Sequence, residues 1–330
     1  MFKKSLKIVC VLVSIVFMLT LIVTNFPKAT VKASSKQYTI ALITMDSMDE
    51  HWLTVNAGAA TAAKELQNVK VVFRAPAQKT DPNEQTRLVE DAITQKVSAI
   101  LLAPTDKDAL VPVVEKAYNK KIPVIIIDSP VATNKIAAFV ATNNYQAGKM
   151  AADKLAELIG KKGKVAIINA QPGAGSVRDR EQGFKDRIKE KYPNIKIVTV
   201  QYCNGDKAIA LSQTMDILSA HPDLAGFYAC NEGSTVGVAR GIKEKGVKGK
   251  VKVVGFDRSM AVIDALKEGY IQAIVVQNPF KMGYLGVKMA IDKINGKKIA
   301  TKVDTGVAIV TKENMNKPDI QKLLYPLGKK

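Results

Sequence analysis

The sequence is poor in the residues that most often do chemistry on a bound substrate. Only two histidines occur in 330 residues, His51 and His221, and there is no Cys-x-x-Cys pair or Cys/His cluster. A zinc site needs several such ligands at short spacing, and a hydrolytic triad needs a positioned histidine. The shortage argues against a metal centre and against histidine-based catalysis, and no cofactor is expected.

Arginine is also scarce, although the chain is strongly basic. The net charge is +19, yet most of the 49 basic residues are lysines, which are spread along the whole chain. Nucleic-acid-binding proteins usually cluster arginine and aromatic residues on one face. The pattern instead indicates a lysine-rich solvated surface, so no nucleic-acid partner is expected. A basic exterior would also suit an anionic cell wall or membrane surface.

No low-complexity linker divides the chain, and 330 residues with 47% hydrophobic side chains suffice for two domains. One long uncharged run, residues 8–23, follows three lysines within the first seven residues. Its length lies near the boundary between the core of a signal peptide and a short membrane span. Residues 1–33 are therefore predicted to be a signal peptide or, alternatively, an uncleaved membrane anchor. In both cases the rest of the chain is exported.

Short apolar runs rich in Val and Ile alternate with longer amphipathic stretches from residue 38 onward. This alternation predicts parallel sheets covered by helices on both faces, here as two doubly wound α/β units in tandem. The predicted strands are residues 38–43, 69–74, 99–103, 124–127 and 138–141, then 164–169, 196–201, 226–229, 252–256 and 273–277. The predicted helices are residues 56–67, 83–95, 144–159, 176–191 and 207–220.

Polar side chains follow six of these strands, where ligands of open α/β sheets bind. If the two sheet edges face each other, the cleft between the two units is the site. The residues concerned are Asp46, Asp49, His51 and Trp52 after the first strand, Asp128, then Gln171 with Arg178 and Arg180, Asn231 with Glu232, Asp257 with Arg258, and Gln277 with Asn278.

Carboxylates, amides and an arginine at one site suit a neutral polyol, because each sugar hydroxyl both donates and accepts hydrogen bonds. Trp52 could stack on the apolar face of a sugar ring. A set of Asp49, Asp128, Asp257 and Arg180 would be net acidic, which argues against phosphate or carboxylate ligands.

Each of these residues also has a plainer interpretation. Trp52 could be a core residue, and Asp128 could cap a turn. Asp257 could be a helix N-cap, and Arg180 could lie on a solvated helix face. The glycine-containing loop at residues 172–176 lacks the spacing of a phosphate-binding loop. A pair formed by Asp128 and Asp257 could even serve glycoside hydrolysis, although hydroxyl binding explains these carboxylates equally well.

Several sequence landmarks occur in order: 58–59, 62–66, 89–93, 103–106, 122–128, 142–144, 180–184, 254–257 and 276–279. On them, the chain from residue 38 onward resembles the ribose-binding-protein-like substrate-binding proteins of bacterial sugar ABC importers, which have the type I periplasmic-binding fold. Transcriptional regulators share this fold, but they carry an N-terminal helix-turn-helix where this chain has a signal-like segment.

The resemblance implies a set of ligand-binding residues. This set is Asp49, His51, Trp52, Asp128, Arg180, Asn231, Asp257 and Gln277, with Asn144, Asn204 and Arg258 as further candidates. Three positions depart from the family pattern. His51 stands where an aromatic residue is usual, Ser129 replaces an arginine, and Gly205 replaces another aromatic residue. The resemblance therefore does not identify ribose as the ligand, and another monosaccharide or a furanose-like signal molecule fits equally well.

The resemblance also implies three chain crossings, near residues 142–144, 277–279 and 305–307. They would divide the chain into an N-terminal lobe of residues 38–142 plus 278–306 and a C-terminal lobe of residues 143–277 plus 307–330. The implied function is that of an extracytoplasmic, monomeric binding protein of a monosaccharide importer, which closes about a hinge without chemistry and is read by a membrane permease. The alternative is a membrane-anchored sugar receptor that signals to a sensor kinase.

The two cysteines outside the N-terminal segment, Cys203 and Cys230, can be tested against this topology. In a doubly wound lobe, the strands that precede them flank the first strand of that lobe, which separates them by roughly 10 Å. A disulfide needs Cα atoms closer than about 7 Å. Both thiols are predicted to be free.

Overall fold

The computed structural model describes residues 36–77 and 81–328. The predicted signal peptide or anchor at residues 1–33 lies outside these ranges. None of the helices within them is long and apolar enough to span a membrane.

Six strands of the described chain build a first sheet in the order β11-β5-β4-β3-β1-β2, with parallel pairing throughout. These strands are β1 (Tyr38–Ile43), β2 (Val69–Arg74), β3 (Ala99–Leu102), β4 (Val124–Ile127), β5 (Ala138–Ala141) and β11 (Lys302–Asp304).

A second sheet has the order β12-β10-β9-β8-β6-β7. Its strands are β6 (Gly163–Asn169), β7 (Ile195–Tyr202), β8 (Leu224–Ala229), β9 (Lys252–Phe256), β10 (Ala273–Gln277) and β12 (Val307–Thr311). Strand β12 pairs antiparallel with β10, whereas the other pairs are parallel. The antiparallel edge follows from the connection, because the chain passes from β11 of the first sheet directly into β12 through only two residues, Thr305 and Gly306.

The described helices are α1 (Glu50–Leu66), α2 (Pro82–Thr94), α3 (Val111–Asn119), α4 (Asn144–Leu158), α5 (Gly175–Lys191), α6 (Lys207–Ala220), α7 (Glu232–Glu244), α8 (Met260–Glu268), α9 (Pro279–Ile294) and α10 (Pro318–Leu324). Every residue of the central strands β3 and β4 is buried. Continuously apolar strands of this kind are stable only where helices cover both faces of a parallel sheet. The two sheets with their helices form the two lobes, and the predicted α/β class is confirmed.

The chain passes between the lobes three times. Strand β5 of the first sheet leads into α4, which packs on β9 and β10 of the second sheet. Strand β10 leads back into α9, which packs on β3 and β4. The third passage is the turn between β11 and β12. The division into residues 38–142 with 278–306 and residues 143–277 with 307–330 stays a prediction, which the position of these crossings supports.

Glycines allow one close helix pair in each lobe. In the first lobe, a Cβ atom at Gly58 or Gly283 would collide with a backbone carbonyl of the opposing helix, where α1 meets α9. In the second lobe, Gly148 on α4 and Gly183 on α5 play the same part. The carbonyl next to Gly148 is that of Arg180, so the glycine contact also sets the position of that arginine.

The ten predicted strands and the five predicted helices are all present, but the structure adds two strands and five helices, α3, α7, α8, α9 and α10, and it changes the start of α1. Strands β11 and β12 were not predicted, because β11 is only three residues long and has no apolar run. Helix α1 begins at Glu50 rather than at residue 56, which puts His51 and Trp52 in the first helical turn and not in a loop.

Cys203 and Cys230 are both buried and free. Strand β6 lies between β7 and β8, whose ends they follow, as the strand-order argument requires. The prediction of two free thiols is confirmed. Burial raises the pKa of both thiols, so neither is an activated nucleophile.

Candidate functional site

Side chains from both lobes line one cavity of about 60 Å³ at the carboxyl ends of the strands. The first lobe contributes Met45, Asp46, Asp49, His51, Trp52 and Asp128. The second lobe contributes Gln171, Ser176, Arg180, Asn204, Asn231, Glu232, Asp257 and Gln277, together with the apolar side chains of Ala170, Ala174 and Val177. Nine of the eleven predicted ligand-binding residues therefore meet at one place, and the other two, Asn144 and Arg258, do not line it.

Two aspartates occupy equivalent positions in the two lobes. Asp128 follows β4 and Asp257 follows β9, and each of these strands is third in the order of its sheet. Both backbones are left-handed, with φ of 62° and 69°. Each backbone N–H donates to the next strand, to the carbonyl of Val140 (3.1 Å) and of Val275 (2.8 Å). Left-handed backbone at a non-glycine residue costs of order 1 kcal/mol, so local structure holds both carboxylates in place at a cost.

The interpretations of Asp128 and Asp257 as caps find no support. The N-cap of α8 is Ser259, whose hydroxyl accepts from the N–H of Val262. The carboxylate of Asp128 contacts His51 and the hydroxyl of Ser176 instead.

His51 lies between the two aspartates. Its Nε2 is 3.0 Å from Oδ2 of Asp128, and its Nδ1 is 3.6 Å from Oδ1 of Asp257. Burial alone would lower the pKa of His51, but the two carboxylates outweigh it and raise that pKa. The pKa of Asp128 is lowered, because its interactions with His51 and Arg180 outweigh the effect of burial. The three residues form a buried acid–base–acid arrangement that reaches from one lobe to the other.

Trp52 is both a core residue and part of the cavity wall. Its side chain packs in the first-lobe core with Met45 and with Val177 of the second lobe. Its ring meets the ring of His51 edge to face, with 4.6 Å between the centroids. The sequence left open whether Trp52 is a core residue or a residue of the binding site, and in the structure its side chain is both.

Arg180 is held inside the second lobe and does not lie on a solvated face. It is 2% exposed. Its Nε donates to Oδ1 of Asn144 (2.8 Å), and one terminal nitrogen donates to the carbonyl of Cys230 (2.9 Å). The guanidinium lies 3.8 Å from the centroid of the Phe256 ring and 3.8 Å from Oδ2 of Asp257. These contacts fix the orientation of the Arg180 guanidinium and leave N–H donors of that group at the cavity.

Glu232 lines the cavity but is absent from the predicted ligand-binding set. It is 2% exposed, and its backbone N–H donates to Oδ2 of Asp257 (3.2 Å). Its own Oε2 accepts from the backbone N–H of His51 in the opposite lobe (3.2 Å), and Oε1 is 3.4 Å from Nζ of Lys207. Burial and the neighbouring Asp49 raise the pKa of Glu232 to about 7. Its position directly after Asn231 at a strand end was the available signal.

Three amide side chains connect the site to its surroundings. Nε2 of Gln277 donates to Oδ1 of Asp257 (2.6 Å), while its buried Oε1 has no hydrogen-bond partner among the described residues. Nε2 of Gln171 donates to the carbonyl of Thr105 across the cleft (2.7 Å). Asn231 caps α7, because its Oδ1 accepts from the N–H of Ser234 (3.1 Å). A buried acceptor without a partner, such as Oε1 of Gln277, favours a ligand that donates to it.

The two predicted residues outside the cavity support it instead. Asn144 positions Arg180 and lies close to the backbone of Asp128. The Arg258 guanidinium donates to Oε2 of Glu50 and to Oγ1 of Thr54, at 2.7 Å each, and so joins the two lobes beside the cavity.

The lobes are closed on each other. Besides the contacts of Arg258, the N–H of Lys107 donates to the carbonyl of Gly173 (3.2 Å), and the N–H of Ser176 donates to Oγ of Ser129 (3.2 Å). Within the described ranges, no group of His, Cys, Asp and Glu side chains is arranged to hold a metal ion.

Comparison with known proteins defines the class. Residues 40–298 match the family model of the periplasmic binding protein domain, and the chain belongs to that family. It is 30% identical to the ribose import binding protein RbsB of Bacillus subtilis over 289 residues, which cover 88% of this chain and 92% of that protein. It is 31% identical to the D-ribose/D-allose-binding protein of Pseudomonas aeruginosa, over 78% of this chain and 82% of that protein.

Solved structures agree with this assignment. A carbohydrate transporter solute-binding protein from Agrobacterium radiobacter, in complex with D-arabinose, is 38% identical with a TM-score of 0.86, and the match covers 88% of this chain and 100% of that one. An ABC transporter solute-binding protein from Agrobacterium vitis with bound D-fucose is also 38% identical, with a TM-score of 0.85 over 87% of this chain and 100% of that one. The expected family and fold are confirmed. The relatives are sugar-binding transport proteins and not enzymes, so the interpretation of the two aspartates as a hydrolytic pair is dropped.

Proposed function

We propose that this chain is the extracytoplasmic substrate-binding component of a monosaccharide ABC importer, which encloses its sugar between two lobes and delivers it to a membrane permease. The observation that carries the proposal is the convergence of charged and amide side chains from both lobes on one enclosed cavity. Relatives over most of the chain are a ribose import binding protein and a D-ribose/D-allose-binding protein, and similar structures hold D-arabinose or D-fucose.

The chemistry of the lining supports a neutral polyhydroxylated ligand. Asp257 and Asp128 are acceptors, Arg180 and Asn231 are donors, and the free Oε1 of Gln277 requires a donor. A sugar hydroxyl can satisfy either kind of group, because it donates one hydrogen bond and accepts others. Trp52, with the apolar side chains of Ala174 and Val177, supplies surface for the C–H groups of the ring.

The proposed ligand-binding set is Asp49, His51, Trp52, Asp128, Arg180, Asn204, Asn231, Asp257 and Gln277, to which we add Glu232. In this account, Asn144 and Arg258 hold other residues in position and do not contact the sugar. The mechanism is a population shift, in which contacts from both lobes stabilise the closed form that the permease recognises. The protein acts as a monomer at the outer face of the cytoplasmic membrane. No observation favours a sensor kinase as the partner.

Thermal unfolding of the protein with a panel of sugars tests this function. The panel contains D-ribose, D-allose, D-arabinose and D-fucose, with further pentoses, hexoses, inositol and furanose signals. A sugar at 100 times its Kd adds roughly 2.7 kcal/mol to the free energy of unfolding. We expect at least one sugar to raise Tm, and Asp257→Ala to abolish that rise. Asp292→Ala, at an exposed ion pair with Lys297, is the matched control.

If no sugar in the panel raises Tm, either the protein does not bind these sugars or it was purified with a sugar already bound. A second measurement distinguishes these two cases. Unfolding the purified protein and analysing released small molecules by mass would reveal a sugar already bound. If no sugar is released and none shifts Tm, binding of every sugar in the panel is excluded.

A further inference from the structure

The closed cleft brings together more carboxylate side chains than cationic side chains. The first lobe contributes Asp49 and Asp128, and the second lobe contributes Glu232 and Asp257. The side chains of these four residues are at most 9% exposed. The permanently charged partners are Arg180 and Lys207, and both belong to the second lobe. With every carboxylate ionised, the cluster would carry an excess of negative charge in a buried place.

Other charged groups nearby do not correct this excess. Arg258 pairs with Glu50. Asp46 lines the cavity, but its Oδ1 accepts from the backbone N–H groups of Met48 and Asp49, which stabilise its negative charge.

We propose that closure of the cleft takes up protons at this cluster, with His51 as a cationic link between Asp128 and Asp257 and with Glu232 as a second proton acceptor. The proposal rests on the sugar-binding function above and names a regulation of that same site. Protons on His51 and on Glu232 would balance the two unmatched carboxylates.

The location of each group ties its protonation to closure. His51 and Asp128 belong to the first lobe, while Asp257 and Glu232 belong to the second. Separation of the lobes therefore moves Asp257 away from His51 and Asp49 away from Glu232. It also lets water reach all four groups, which weakens their mutual repulsion.

Two contacts show that the protonated forms fit the closed geometry. Both ring nitrogens of His51 face carboxylate oxygens, at 3.0 Å and 3.6 Å, and both can present an N–H to a carboxylate at the same time only when the ring is an imidazolium. Oε2 of Glu232 accepts from the N–H of His51, and a protonated carboxyl group keeps that acceptor. The pKa directions agree, since that of His51 is raised and that of Glu232 is raised to about 7.

The sign of the pH dependence follows. A group that binds its proton more tightly in the closed form favours closure at low pH, and that preference is lost as pH rises through the closed-form pKa. Glu232 contributes a loss between its ordinary pKa of 4.5 and about 7, and His51 contributes a loss from 6.5 upward. Sugar affinity should therefore decrease as pH rises, by up to about tenfold per pH unit for each linked proton.

Calorimetry of sugar binding at fixed pH, in buffers of different ionisation enthalpy, counts the protons directly. The ligand is whichever panel sugar gives the largest rise in Tm. We expect net uptake of up to about two protons per sugar between pH 6 and 8. His51→Gln and Glu232→Gln should each reduce the uptake, whereas the control Asp292→Asn should not. No uptake, or proton release, across this range in the unaltered protein would overturn the proposal.

Titration of His51 with and without sugar keeps this test separate from the proposed function. The chain has only two histidines, so the imidazole resonances of an untagged protein are readily assigned with His51→Gln. Asp128 lies in the same lobe as His51, whereas Asp257 comes near it only in the closed form. We expect His51 to titrate above 6.5 with sugar bound and closer to 6.5 without it. If His51 titrates at or below 6.5 with sugar bound, the proton link is wrong even though the sugar binds. If no panel sugar binds but His51 titrates above 6.5, the sugar function fails and the acid–base cluster stands.

Discussion

The two lobes place an aspartate at the same position of their sheets, but different contacts hold that aspartate in each lobe. Each lobe ends its third-ordered strand in a left-handed aspartate, Asp128 in the first and Asp257 in the second. Asp257 is surrounded by donors of its own lobe: Nε2 of Gln277, the N–H of Glu232 and, at 3.8 Å, Arg180. Asp128 relies mainly on His51, with a longer contact to Ser176.

This difference shows how a repeated architecture becomes an asymmetric site. The second lobe carries a preorganised acceptor and donor pair, Asp257 and Arg180, fixed before any ligand arrives. The first lobe carries a titratable and aromatic face, His51 and Trp52, on the first turn of α1. We infer that the second lobe defines the ligand orientation, while the first lobe closes over the ligand and responds to pH.

The largest expected effect is the loss of Asp257. Asp257→Ala leaves the buried Arg180 without its carboxylate partner and Nε2 of Gln277 without its acceptor, and breaking a buried charged pair costs about 3–5 kcal/mol. We expect this variant to lose sugar binding and to have a much lower Tm. Asp128→Ala should lose less of both, because fewer donors depend on it. Calorimetric Kd values and thermal melts of the two variants make the comparison, and equal losses would contradict the asymmetry.

Next in size are the helix-packing glycines. Gly148→Ala forces α4 and α5 apart, and overpacking of this kind costs about 1–3 kcal/mol. Since the contact is with the backbone of Arg180, sugar affinity should fall together with stability. Gly58→Ala in the first lobe should cost a similar amount of stability with a smaller change in Kd. Chemical unfolding and Kd measured on both variants test this, and the reverse ranking of Kd would refute it.

A smaller effect is expected from the loss of Arg258, whose guanidinium joins the two lobes beside the cavity. Arg258→Ala removes the hydrogen bonds to Glu50 and Thr54 that join the lobes. Hydrogen bonds to charged groups contribute about 1.5–3 kcal/mol, and the half-exposed Glu50 reduces this, so Kd should rise by roughly tenfold. The Tm of the sugar-free protein should change little, because each lobe keeps its core. Unchanged affinity would show that the lobes close without this link.

The smallest effect concerns stability against pH. The raised pKa of His51 gives stability that is complete below 6.5 and is lost as pH rises through the folded-state value. Glu232 acts in the same direction between 4.5 and about 7. The lowered pKa of Asp128 acts in the opposite direction, with stability lost as pH falls below 3.8. We expect Tm to decline from pH 6 to 8, with a shallower decline in Glu232→Gln. A Tm that rises over this range would contradict the assignment.

Most of the fold was predictable because its signals are local. Continuous Val and Ile runs identify buried parallel strands such as β4, and the order of landmarks identifies the family. The edge strand β11 was missed because three residues carry no periodicity. The position of Asp128, Asp257 and Gln277 at strand ends was also enough to predict that they lie at the cavity, since the carboxyl ends of parallel strands meet at one edge of a sheet.

The remaining features of the site depend on contacts between residues far apart in sequence. Glu232 matters because closure brings Asp49 and His51 of the other lobe against it. Arg258 is adjacent to a cavity residue, yet its guanidinium contacts Glu50, a contact between residues 208 positions apart. Strand ends identify which side chains share an edge, but not which of them pair with the opposite lobe.

A crystal structure of the protein with the sugar that most raises its Tm would test the central claim most directly. We expect the sugar between the lobes, with hydroxyl groups hydrogen-bonded to Asp257 and Arg180 and one hydroxyl donating to Oε1 of Gln277. A sugar bound elsewhere, for instance in the groove lined by Phe139, Tyr145 and Asp179 at the crossings, would contradict it.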